Sequence, residues 1–165
     1  MDASGIRRAF ELGARLENPI NLSIGQPHYP VPDVMKEAAI AAIREDRNGY
    51  SLSGGIDDLN LAIRNHLHHD LGWDPSDREI GVMVTSGTSG ALLLSSLALL
   101  DEGDEAIIPD PWFVIYPQLG PLTGGRMVGC DTYPDFRMTA DRIEPLITDR
   151  TKFVLLNSPG NPTGG

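Results

Sequence analysis

The residues best suited to chemistry lie together in Ser86, Gly87, Thr88, Ser89 and Gly90, between the apolar Val82, Met83 and Val84 and an apolar run that starts at Ala91. That order predicts a short buried strand, a tight loop and a helix. The first turn of a helix has N–H groups with no intrahelical partner and carries the positive end of the helix dipole, so a phosphate fits there. Glycine lets the backbone approach closely, and the hydroxyls add donors. A plain reading fits the same residues: Ser86 or Thr88 as an N-cap and Gly87 as a turn residue.

Two nucleotide motifs are excluded here, because the loop has neither the G-x-G-x-x-G of a dinucleotide fold nor the Gly-Lys-Ser/Thr of a P-loop. A nucleophile elbow, G-x-S-x-G, comes closer, with Ser89 as nucleophile and Ala91 in the place of the last glycine. In that fold the acid and the histidine follow the serine. His28, His66, His68 and His69 all precede Ser89, so the triad is not completed in this chain.

The elements that must position this loop follow from spacing. Ser4 to Leu16 has helical alternation and ends before Asn18-Pro19, and Ile20 to Ile24 is a short extended run. Gly25-Gln26-Pro27 then turns the chain; it serves either as a turn alone or as a backbone N–H held open to a carboxylate. A second helix is expected over 33–47, and Tyr50 follows it as a packed ring or as a hydroxyl offered to a phosphate. A third, 56–71, has Leu59, Ile63, Leu67 and Leu71 on one face. His66, His69 and Asp70 have loose metal-ligand spacing there, but a solvated helix face explains them better.

After the central helix, Asp101-Glu102-Gly103-Asp104 reads as an acidic turn. Strands are expected at 106–108, 126–130 and 152–156, with a short helix over 140–147. Pro109-Asp110-Pro111 breaks the first of these at its carboxyl end, where Trp112, Phe113 and Tyr116 cluster. Ligands of open α/β sheets sit at those ends, so an aromatic there serves either the core or a flat ring. Alternating strands and helices predict a mostly parallel sheet.

The chain has 165 residues, 41% of them hydrophobic, which suits one domain with a sizeable core. Thirteen basic against 23 acidic side chains give a formal charge of −10, which argues against nucleic-acid and anionic-membrane partners. A lone Cys130 excludes a disulfide framework and a cysteine-based zinc site. With no signal-peptide pattern and no run of membrane-spanning length, a cytoplasmic location is expected.

Five segments in order, INLSIGQPHYPVP, GYSLSGGIDDLNLAI, VTSGTSGALLL, DEGDEAIIPDPWFVIYP and TKFVLLNSPGNPTGG, resemble the fold type I pyridoxal-phosphate enzymes. The similarity is strongest to class I and II aminotransferases of the aspartate aminotransferase kind. It implies the N-terminal portion of that α/β fold, truncated: residues 1–45 as an arm and part of the small domain, and 46–165 as the first, incomplete part of the large cofactor-binding domain.

The resemblance also implies roles. Gly87, Thr88 and Ser89 match the phosphate cup, Phe113 the aromatic that stacks on the pyridine ring, and Asn161 the asparagine bonded to its phenolic oxygen. Gly25 matches the glycine whose backbone meets the substrate carboxylate, and Tyr50 the tyrosine offered to the partner subunit's cofactor phosphate, which implies a homodimer. The implied reaction moves an amino group between an L-amino acid and a 2-oxo acid, with pyridoxal 5'-phosphate as electron sink. The family's Schiff-base lysine lies beyond the NPTG element, and neither Lys36 nor Lys152 matches it. An N-terminal fragment without a catalytic residue, and inactive alone, is therefore expected. Related readings are a carbon–sulfur lyase, an aminocyclopropane-carboxylate synthase or a non-catalytic cofactor-sensing domain.

Overall fold

The computed structural model describes residues 5–165 apart from 21, 23, 24, 75 and 78, and apart from the side chains at 6, 7 and 10. The chain divides into two units, Met1–Ser51 and Leu52–Gly165. In the first, α1 (Gly5–Gly13) is followed by turns, and α2 (Asp33–Arg44) starts directly after Pro32. A proline before the first turn costs no hydrogen bond, and Asp33 there complements the helix dipole. The extended run expected over 20–24 falls largely outside the described residues.

The second unit opens with α3 (Asp57–Leu71), ended by Gly72 in the left-handed conformation at φ 71°, a geometry glycine adopts without strain. Ile63 and Leu67 of its expected apolar face are half-buried, while Leu59 and Leu71 stay exposed. The strand expected at Val82–Val84 does not form. Its Val84 N–H instead donates to the Gly54 carbonyl (3.0 Å), which also accepts from Asn60 Nδ2 (3.1 Å). Gly55 sits so close that a Cβ there would lie 2.8 Å from Val84 Cγ2, so this contact takes the place of a ladder.

Next come α4 (Gly87–Leu99), β1 (Glu105–Asp110), α5 (Tyr116–Thr123), β2 (Arg126–Asp131), α6 (Ala140–Ile143) running into a 3-10 turn, and β3 (Thr151–Val154). Among the described residues the three strands form one sheet of order β2-β1-β3, with both pairings parallel. Central β1 carries the core: Ala106, Ile107 and Ile108 are essentially inaccessible. Pro109 is tolerated in it because the β1–β3 register ends at Ile107 opposite Val154, leaving no partner strand on the side its missing N–H would face.

Helix α5 was not expected from a segment holding Pro117, Gly120 and Pro121. Packing overrides that weak propensity: Leu119 is buried, and Gly120 lies so near β2 that a Cβ would meet the Gly125 carbonyl at 3.0 Å and the Met127 nitrogen at 3.1 Å.

At the amino ends of the strands, buried Glu105 gathers three elements. Its Oε1 accepts from Arg126 (2.6 Å) and Arg150 (2.8 Å), and its Oε2 from Thr148 Oγ1 (2.8 Å). The bond from Arg126, then that from Thr148, holds its carboxyl below the usual carboxylate range. Such a depressed carboxyl stabilises the fold above its unfolded pKa, about 4.3, and loses that contribution as pH falls through the folded value. Glu105→Gln should therefore lower the melting temperature at pH 7, and the gap to the unmodified chain should close as pH drops below about 4; a gap independent of pH in thermal melts would contradict this. Gly120→Ala should cost about 1–3 kcal/mol in urea unfolding through overpacking.

Candidate functional site

Helix α4 begins in an unusual way. Gly87, its first residue, has φ 65°, a left-handed conformation that side chains disfavour, and open space surrounds its Cα. Its N–H donates to the Thr85 carbonyl (2.8 Å), while Thr85 Oγ1 donates to the Gly87 carbonyl (2.9 Å). Gly90 N–H reaches the Ser86 carbonyl at 3.3 Å and closes the first turn. Gly87 thus supplies the bend, and its own donor is spent. The N–H groups of Thr88 and Ser89, on the same exposed turn, have no acceptor within the helix. Two free donors, two hydroxyls and the positive helix end suit an anion.

Phe113 follows β1. It is half-buried and packs against the cluster of Ile108, Tyr116 and Leu155, with its ring edge-on to Tyr116 at 5.9 Å and 77°. Burial pushes the Tyr116 phenol pKa up. Phe113 therefore serves the core, and part of its surface stays accessible. Trp112 lies over β2, where a Cβ on Gly129 would come within 3.2 Å of its ring.

Asn161 stands exposed in the loop after β3, Asn157 to Gly165. The loop closes on itself: Gly160 N–H donates to the Gly165 carbonyl (2.7 Å), and Gly164 N–H to that of Gly160 (2.6 Å). No side chain fits at Gly165, whose Cβ would meet the Phe136 carbonyl at 2.8 Å. This loop, the end of β1 and the segment after β2 enclose a cleft of about 530 Å³ at the carboxyl ends of the strands. Asn161 lines it; Phe113 and residues 87–89 do not.

One apolar cluster nonetheless serves all three elements. Leu92 of α4, Phe113 itself and Leu155 of the β3 end meet at Ile108 and Tyr116. Gly25 and Tyr50 belong to the first unit, where both are exposed. Of the two lysines, Lys36 pairs with Asp33 on α2 (2.9 Å), and Lys152 reaches Asp104 (3.4 Å) at the amino end of β3, away from the cleft end of that strand. His66 pairs with Asp70 at 3.2 Å, and His68 Nδ1 lies 2.6 Å from the Trp73 carbonyl, so these two histidines serve that helix and its end.

A parallel three-stranded sheet flanked by helices, with a glycine-led helix start, an aromatic and an amide loop following its strands, defines an α/β domain. The family model for class I and II aminotransferases matches residues 17–165, and the chain belongs to that family. It is 38% identical over 161 residues to a probable aspartate aminotransferase of Methanocaldococcus jannaschii, covering 98% of this chain and 42% of that protein. It is 39% identical over 159 residues to an aspartate aminotransferase of Geobacillus stearothermophilus, covering 95% and 40%. The solved aspartate aminotransferase of Thermus thermophilus with maleate superposes at TM-score 0.89 and 32% identity, over 100% of this chain and 44% of its own. An aromatic aminotransferase of Pyrococcus horikoshii gives 0.82 and 33%, over 98% and 43%. The chain thus spans less than half the length of these relatives.

The left-handed start of α4 makes a direct demand on sequence. Gly87→Ala should cost about 1–2 kcal/mol of stability, all of it conformational because no atom lies near enough to clash. A urea-unfolding midpoint equal to that of the unmodified chain would refute the requirement.

Proposed function

We propose that this chain is the N-terminal part of a pyridoxal-phosphate-dependent aminotransferase that moves an amino group between an L-amino acid and a 2-oxo acid. The observation that carries the reading is the family match from residue 17 to 165, which includes the glycine-led start of α4 and the NPTG loop. The free N–H groups of Thr88 and Ser89 fit the cofactor's dianionic phosphate, and the open space at Gly87 leaves room for it. Phe113 offers its remaining ring surface to the pyridine, and Asn161 a carboxamide to the phenolic oxygen.

When bound, pyridoxal phosphate supplies an electron sink for the charge left as a bond to the substrate α-carbon breaks. The residues assigned here bind and orient, and no proton transfer is assigned to them. Gly25 is assigned the substrate carboxylate and Tyr50 the cofactor phosphate of a second subunit, so the whole protein is read as a homodimer. Lys36 and Lys152 are both engaged by aspartates, and neither is assigned a covalent role.

An absorbance titration with pyridoxal phosphate, followed by borohydride reduction and mass analysis, tests this. Saturable binding without a stoichiometric adduct is expected. Ser89→Ala and Phe113→Leu should each weaken it about three- to tenfold, the scale of one hydrogen bond or one ring contact. An unchanged affinity in both variants, or a stoichiometric adduct on either lysine, would overturn the assignment.

A further inference from the structure

The hydroxyl of Thr85 does something other than cap the helix that follows it. A side-chain oxygen at a helix start ordinarily accepts from the free N–H groups of the first turn. Here Ser86, at the cap position of α4, makes no such bond, and Thr85 Oγ1 donates to the Gly87 carbonyl at 2.9 Å. The Thr85 carbonyl in turn accepts from the Gly87 N–H at 2.8 Å, so one residue holds both polar groups of the Gly87 backbone. The threonine side chain lies against the first turn, where a Cβ on Gly90 would stand 3.5 Å from Thr85 Cβ and 3.8 Å from its Oγ1.

The Gly87 carbonyl and the Thr88 N–H belong to the same peptide group. That group is planar and trans, so its C=O and its N–H point in opposite directions. A hydroxyl that fixes the carbonyl on one side therefore fixes the N–H on the other. Gly87, at φ 65°, has no side chain to limit rotation of the peptide that follows it, and the bond from Thr85 supplies the missing restraint. A carbonyl that accepts a hydrogen bond also makes the N–H of its own peptide a stronger donor. Both effects act on the Thr88 N–H, and neither consumes it.

We propose that Thr85 is a positioning residue of the phosphate site: its hydroxyl orients the peptide between Gly87 and Thr88 and so presents the Thr88 N–H to the cofactor phosphate. The inference rests on the cofactor reading above and adds to it a residue that acts on the ligand only through another. Had the hydroxyl accepted from Thr88 or Ser89, as a helix cap does, it would have used up a donor that the phosphate needs. By donating to the carbonyl side it steadies the turn and leaves the donor side open. A threonine that merely supported the fold would matter equally to every ligand of the site, whereas this one matters to the phosphate alone.

The test compares the unmodified chain with Thr85→Val and Thr85→Ser, using pyridoxal phosphate and pyridoxal as probes. Valine keeps the shape of this half-buried threonine without its donor, and serine keeps the donor. Thr85→Val should weaken pyridoxal phosphate about three- to tenfold, the scale of one hydrogen bond, while pyridoxal changes by less than about twofold. Thr85→Ser should stay within about twofold of the unmodified chain for both probes. In the ligand-free chain the Thr88 amide nitrogen resonance, which responds to hydrogen bonding at the carbonyl of its own peptide, should move in Thr85→Val and return in Thr85→Ser. An unmoved Thr88 resonance in Thr85→Val, an unchanged affinity, equal losses for the two probes, or no rescue by serine would overturn the proposal. Failure of the unmodified chain to bind either probe would remove the cofactor assignment, and the Thr88 resonance would then decide the role of Thr85 by itself.

Discussion

Burial of the central strand governs the second unit. Ile108 of β1, Tyr116 of α5 and Leu155 at the end of β3 form an apolar cluster on which Leu92, Phe113 and Phe153 also rest. Parallel pairing aligns β1 with β2 and β3, and the cluster then fixes the helix that starts at Gly87 and the loop that holds Asn161. Residues 87–89 lie three to five positions before Leu92, Phe113 packs on the cluster directly, and Asn161 lies six positions after Leu155, so the precision of these positions is that of the packing beneath them.

The other end of the sheet is organised by charge. Glu105 is as inaccessible as the isoleucines beside it, and two arginines and a threonine compensate its carboxylate. A buried carboxylate stripped of those partners would be costly, which ties the turn through Thr148 and Arg150 to the start of β1. The arginines keep their outer edges in water. Apolar packing toward the candidate site and ion pairing away from it divide the work of holding three strands.

Much of this was legible in residue patterns. Small residues after Val84 marked the start of α4, the spacing of α2 and α3 fixed those helices, and the alternation after Asp104 gave a parallel sheet. What failed did so for physical reasons. Val82, Met83 and Val84 have the composition of a strand, but a strand needs a partner, and Val84 finds the Gly54 carbonyl instead. Tyr116 to Thr123 has the composition of a loop and becomes helical because Leu119 and Gly120 pack on β2. Phe113 was equally readable as core or site, and its half-buried ring serves the core while leaving surface over.

The pairing of β1 with β3 contains an irregularity: Glu105 faces Thr151, yet Ala106 faces Phe153, so Lys152 is an extra residue in the ladder. A bulge of this kind resets the alternation of a strand. Beyond it, Phe153 and Leu155 fall in phase with Ala106 and Ile108; before it, Thr151 is free to serve the turn at Thr148, whose N–H bonds to Thr151 Oγ1 at 2.9 Å. Lys152 thus works as a mechanical joint. Changes of length or charge in the turn can be taken up there, which insulates the carboxyl edge of the sheet from drift at the far end.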